Sequence, residues 1–126
     1  MPSIKLKKLP GVYTISQLSA SAPVPNWCDG EGFVNISRGD DELSIICLKR
    51  RVPQDIKRDG EWSCFKVVGP FAFGETGIVL SVVKPISENG IGILIISTFN
   101  GDYLLVQNGD LAASERHLRE AGHELL

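Results

Sequence analysis

From Trp62 onward the apolar residues switch from a period of two to one of about 3.6 and back, twice over, and this succession constrains the fold more than any single motif does. Residues 62–68 alternate, with Trp62, Cys64 and Lys66 on one face and Ser63, Phe65 and Val67 on the other, as a strand does. A turn-rich stretch over 69–77 follows. Ile78, Val79, Val82, Val83 and Ile86 then recur near helical spacing over 76–89, Gly90 supplies a C-terminal stop, and Pro85 predicts a kink. Residues 91–99 are apolar on both alternating sets, and Asn100-Gly101 is a strong hairpin signal before 103–106. A second helix is expected over 111–122 and a short strand over 123–126. The second half therefore reads β-α-β-β-α-β, an α+β unit. A right-handed crossover makes the strands flanking its helix parallel, so the loop over 69–77 should neighbour the hairpin end at 98–102.

The first half is strand-rich and trimmed. Residues 12–18 form one strand, bounded by Pro10-Gly11 and by Pro23 and Pro25, and 33–37 with 43–48 form a hairpin around a turn of Gly and Asp residues. Lys49, Arg50, Arg51, Lys57 and Arg58 occur with Pro53 and two aspartates, and are expected to be a solvated linker ending near Asp59-Gly60. Ile36-Ser37 and 43–46 echo Ile96-Ser97 and 103–106 at an offset of 60, which predicts two related units, 1–60 and 61–126.

With 126 residues, 43% hydrophobic and 22% charged, the chain is long enough to bury a core without disulfides or a structural metal. Its net charge of −2 offers no field for nucleic acid or anionic membrane, and neither partner is expected. No apolar run has the length of a membrane span and no signal-peptide core is present, so a cytoplasmic protein is expected. Cys28, Cys47 and Cys64 lack metal-ligand spacing and are expected to be small buried thiols, while His117 and His123 are expected on the surface. No nucleophile elbow, phosphate loop or dinucleotide motif is found, and no catalytic residue, metal or cofactor is expected.

The chemistry-bearing grouping is Gly74-Glu75-Thr76-Gly77-Ile78 with Ser97-Thr98-Phe99-Asn100-Gly101-Asp102. A helix starting near Thr76 presents N–H groups suited to a carboxylate, and Glu75 and Asp102 are anions for an ammonium or guanidinium, so the pair suits a zwitterionic amino acid. The same residues also fit a purely structural account, with Thr76 as helix cap, Glu75 in the first turn and Asp102 in a hairpin.

These residues carry a resemblance. Trp62-Ser63-Cys64-Phe65-Lys66-Val67-Val68-Gly69-Pro70, Phe73 through Val79, Pro85-Ile86 and Ile96 through Tyr103 resemble the ACT domain family, and more narrowly the small bacterial tandem-ACT proteins whose domains also occur in the CASTOR arginine sensors. The resemblance implies two ferredoxin-like ACT units, the first abbreviated, and a non-catalytic regulatory or sensing role. It also implies that an amino acid binds where ACT units meet, at Gly74, Glu75, Gly77, Ile78, Thr98, Phe99 and Asp102; with Thr76 from the expected helix start, these are the candidate ligand-binding residues. Gly101 departs from the larger residue relatives often carry. A homodimer is expected, because residues 91–99 are apolar on both faces and the arginine sensors have four ACT units where this chain would have two; a ligand-free dimerisation or interaction module is the alternative.

Overall fold

The computed structural model describes residues 3–69, 71 and 75–126. They fall into two compact units: Pro10–Trp62, here the N-terminal unit, and Ser63–Leu126 together with Met1–Leu9, the C-terminal unit.

The C-terminal unit contains strands β1 (Lys5–Lys8), β6 (Ile93–Ser97), β7 (Asp102–Gln107) and β8 (Glu124–Leu125), helices α1 (Ile78–Ser87) and α2 (Leu111–Glu120), and the second half of β5 (Arg58–Val67). From β5 onward the order is the expected β-α-β-β-α-β. Its strands run β6-β7-β5-β1-β8. β1 was not foreseen from the sequence. It lies antiparallel to β5, with Leu6 opposite Val67, and parallel to β8, with Leu6 opposite Leu125, so a strand from the chain's start separates the first and last strands of the motif.

The helix-facing set of side chains is the apolar one. Leu6, Phe65, Val67, Val82, Ile86, Leu104, Val106 and Leu118 form a cluster in which none is more than 1% exposed. Burying each such side chain contributes about 1.5–3 kcal/mol before entropy is counted. Ile93 and Ile95 pack against this cluster, while Leu94 and Ile96 on the other face of β6 are half-buried, and among the described residues β6 pairs with β7 alone.

Pro85 sits in the last turn of α1 and supplies no N–H, so the Ser81 carbonyl four residues earlier loses its helical partner. His123 replaces it. Its Nε2 lies 2.6 Å from the Ser81 carbonyl and its Nδ1 accepts the Ile4 N–H at 3.0 Å, which fixes the Nε2–H tautomer. The expectation of two surface histidines is corrected here: His123 is 5% exposed, and His117 is half-buried. The spacing of the two residues carries no information about a partner in another element.

The N-terminal unit contains β2 (Tyr13–Leu18), β3 (Asn35–Arg38), β4 (Leu43–Leu48) and the first half of β5, in the order β3-β4-β2-β5. Its Leu43, Ile45 and Cys47 pack with Cys28, Val52, Trp27 and Ile56. No α-helix occurs among its described residues; three-residue turns of 3-10 helix stand at Asn26–Cys28 and Lys49–Arg51. The basic run is therefore not a linker, because Lys49–Arg51 continues directly from β4 and Arg58 begins β5. Gly60 lies inside β5 at a bulge with φ +76°, where Thr14 Oγ1 donates to the carbonyls of Asp59 and Gly60.

Candidate functional site

Gly77 is the N-cap of α1, with φ +82° and ψ −3°, and as a glycine it has no side chain with which to cap the helix. The structural account that makes Thr76 the cap is thus corrected: the left-handed turn at Gly77 sets the helix start one residue later, and Thr76 is exposed. The first amides of an α-helix have no partner within the helix itself. A Cβ placed on Gly77 would meet nothing within 4 Å, so the backbone there borders open space.

That space is a concavity of about 330 Å3, and the hairpin end forms its other wall. The expected adjacency of loop and hairpin holds. A Cβ at Gly69 would come within 3.0 Å of the Asn100 carbonyl, and one at Gly101 within 3.2 Å of the Val67 carbonyl, so the end of β5 and the β6–β7 turn touch at glycines. Thr98 closes the turn through its N–H and its hydroxyl, both donating to the Gly101 carbonyl at 2.7 Å. Ser97 Oγ donates to Asp102 Oδ1 at 2.6 Å and so orients the carboxylate.

Of the sequence-predicted residues, Glu75, Gly77, Ile78, Thr98, Phe99 and Asp102 all line this concavity. Thr76 does not, and Gly74 lies outside the described residues. Sequence reasoning missed Phe71, Val79 and Leu80, and left Ser97 and Gly101 of the hairpin grouping out of the expected ligand-binding residues. Val79 and Leu80 carried a signal: following Ile78, they extend the apolar run beyond the one face a helix of this period buries, and they are 37% and 56% exposed. Phe99, 79% exposed, stands on the opposite wall. The described lining holds two carboxylates, Glu75 and Asp102, and no Lys or Arg. A helix start facing carboxylates across apolar walls can hold a molecule bearing both a cationic and an anionic group, with its body on Ile78, Leu80 and Phe99.

The cysteines lie elsewhere and are inert. Burial pushes the Cys64 thiol up to about 12. Burial, with the neighbouring Cys28, pushes Cys47 up to about 11 against the pull of Arg51. Cys28 is raised by burial and by the Asp29 charge, while a backbone hydrogen bond and Arg51 oppose the shift. Thiols so disfavoured as thiolates do not serve as nucleophiles near neutral pH. Among the described residues, no group of three His, Cys, Asp or Glu side chains could hold a metal ion, and no helix is long and apolar enough to cross a membrane.

Comparison with known proteins bears on this geometry. The family model for the ACT domain matches residues 57–120, and a model of another family's N-terminal domain matches residues 11–55. No curated protein sequence matches the chain. A crystal structure of an Agobacterium tumefaciens protein is 61% identical, superposes with a TM-score of 0.95, and is matched over 100% of this chain and 94% of that one. A Vibrio cholerae protein described as a possible transport protein shares 15% identity at a TM-score of 0.77, over 94% of this chain and 90% of that one. The ligand-free regulatory subunit of aspartate kinase from Thermus thermophilus shares 8% identity at a TM-score of 0.60, over 89% and 93%; these last two likenesses concern the fold alone. With the ACT model spanning half of its residues, over strands and helices in the order that the motif requires, this chain belongs to the ACT domain family.

Proposed function

We propose that this chain is a non-catalytic regulatory or sensing protein that binds an amino acid at the concavity between the start of α1 and the β6–β7 turn. One observation carries the reading: the start of α1, whose N-cap is a glycine with no side chain of its own, and the Ser97-oriented Asp102 carboxylate face one 330 Å3 space. In this reading the amides around Gly77 hold the α-carboxylate and Asp102 holds the cationic group. With Glu75 nearby, a basic or neutral amino acid is favoured over an acidic one, since a further anion would meet two carboxylates in a partly desolvated place. The membership of the ACT family and the likeness to an aspartate kinase regulatory subunit support a regulatory role over a catalytic one.

The finer parts of the proposal are a pair of related ACT-like units, as in the domains of the arginine sensors, a cytoplasmic location, and a homodimer that completes the site. Support for the pairing comes from the strand paths, β3-β4-β2-β5 and β6-β7-β5. Support for the dimer comes from the edge strand β6 with half-buried Leu94 and Ile96, and from Val79, Leu80 and Phe99 standing exposed around the concavity. Those exposed apolar side chains also favour a second reading, an interaction module that has no ligand.

A thermal-unfolding screen of the twenty amino acids separates the two. Ligand at 100 times its dissociation constant adds about 2.7 kcal/mol to stability. Asp102→Ala should then weaken binding of the stabilising amino acid by about 1.5–3 kcal/mol in calorimetry, the worth of a charge-assisted hydrogen bond. No stabilisation by any of the twenty at millimolar concentration leaves the interaction module, and unchanged affinity in the variant removes Asp102 from the site.

A further inference from the structure

The N-terminal unit carries a second concavity, of about 610 Å3, that the amino-acid reading does not use. Its floor is apolar. Leu48 and Val52 are each 6% exposed there, with half-buried Val12 beside them. Its rim is cationic: Lys49, Arg50 and Arg58 line it against a single carboxylate, Glu61, in a chain of net charge −2.

The three cations are held differently. Lys49 Nζ lies 3.4 Å from Glu61 and Arg50 Nη2 lies 3.6 Å from Glu31, and both are exposed pairs of the kind that a competing anion readily displaces. Arg58 is half-buried and fixed by backbone. Its Nε donates to the Ile56 carbonyl at 3.2 Å, its Nη1 to the Val52 carbonyl at 3.3 Å, and its Nη2 to the Pro53 carbonyl. A guanidinium has five N–H donors, so two are left over, and no ion pair to Arg58 forms among the described residues. A half-buried guanidinium held by three carbonyls and by no ion pair among the described residues, set beside an apolar floor, favours an added anion with a hydrocarbon part.

We propose that this concavity binds a small organic carboxylate with an apolar body. The planar carboxylate faces the remaining donors of Arg58, with Arg50 and Lys49 alongside, and the body lies on Leu48, Val52 and Val12. The proposal is independent of the amino-acid site, whose residues all belong to the C-terminal unit.

Hexanoate is a suitable probe, titrated into the full-length chain and followed by NMR at the Arg58 Nε–H and at the backbone amides of Leu48–Val52. Saturable shifts confined to those groups are expected. Lys49→Gln with Arg50→Gln should weaken the apparent affinity about tenfold or more, the equivalent of one charge-assisted hydrogen bond. Unchanged thermal unfolding of that variant separates loss of binding from loss of fold, and Arg58→Lys, which keeps the charge and loses the planar fork, should also weaken binding. Hexanamide, which has the same body without the charge, should leave the spectra unmoved. The proposal is overturned if hexanamide or inorganic phosphate binds as well as hexanoate, if the shifts centre on Gly77 and Asp102 instead, or if no saturable shift is found.

Discussion

Replacing His123 by Ala tests whether a buried imidazole holds α1 to the β1–β8 edge. The ring bridges two buried backbone groups, the Ser81 carbonyl and the Ile4 N–H, in residues 2% and 4% exposed. Neither group has an alternative within its own element: Pro85 denies Ser81 its helical donor, and the β1 and β8 ladder uses the Ile4 carbonyl, which accepts from the Glu124 N–H at 2.9 Å, leaving the N–H to the imidazole. Each buried group left unsatisfied costs about 1–3 kcal/mol, so the substitution should cost about 2–5 kcal/mol once some solvent entry is allowed for. Against a domain stability of about 5–15 kcal/mol that is a large fraction.

The cause can be isolated by a double-mutant cycle. Pro85→Ala restores an N–H four residues after Ser81, so in that background His123→Ala should orphan only the Ile4 N–H and cost about 1–3 kcal/mol less than in the native chain. Urea unfolding followed by tryptophan fluorescence and far-UV circular dichroism at pH 8 measures all four variants. A cost below about 1 kcal/mol in the native background, or equal costs in both backgrounds, would refute the argument that His123 substitutes for the missing helical donor.

Gly77→Val places a branched residue at φ +82° and should cost about 1–2 kcal/mol in unfolding while abolishing amino-acid binding in calorimetry; normal binding would show that the ligand lies elsewhere. The Cys64 thiol is raised from 9.0 to about 12 by burial, so the unfolded chain ionises first on going alkaline; its contribution is complete below pH 9 and is lost as pH rises through 12. Cys64→Ala should accordingly flatten the fall of stability above pH 9, where one such group contributes a slope of up to about 1.4 kcal/mol per pH unit. Analytical ultracentrifugation at micromolar concentration should give twice 13.7 kDa, and a mass near 13.7 kDa would rule the dimer out. Amino-acid calorimetry should give one site per chain; two sites per chain would show that the N-terminal hairpin end, with Arg38 and Leu43 in the places of Ser97 and Asp102, also binds.

The C-terminal motif was legible because each of its elements is long enough to show a period and is bounded by a turn residue with a defined conformation. Six of the eight expected site residues were brought to one concavity by topology that could be read from that order. What could not be read depends on partners distant in sequence. Ile4 and Leu6 alternate with lysines over a span too short to distinguish from a solvated terminus, and become a strand because β5 and β8 each offer it an edge. His123 looks like any polar residue after a helix, and only Pro85, 38 positions earlier, gives its ring a buried acceptor.

The two units differ chemically at their hairpin ends. Arg38 pairs with Leu43 at the end of one hairpin, and Ser97 pairs with Asp102 at the end of the other, so the structural offset is 59 residues on both strands. At that offset, one less than the 60 expected from the sequence, the residue at Asp102's place is Leu43, fully buried in the apolar cluster of the N-terminal unit. The residue at Ser97's place is Arg38, whose guanidinium donates to the carbonyls of Ala20 and Ala22 rather than orienting a carboxylate. The connection between β2 and β3 has a three-residue 3-10 turn where the C-terminal unit has α1, so no ten-residue helix presents its amide end there. The carboxylates of the N-terminal hairpin end, Asp40, Asp41 and Glu42, stand in the turn rather than at Asp102's place on the strand, with no hydroxyl at Ser97's place and no ten-residue helix in the β2–β3 connection among the described residues, so the proposed amino-acid site has no counterpart there.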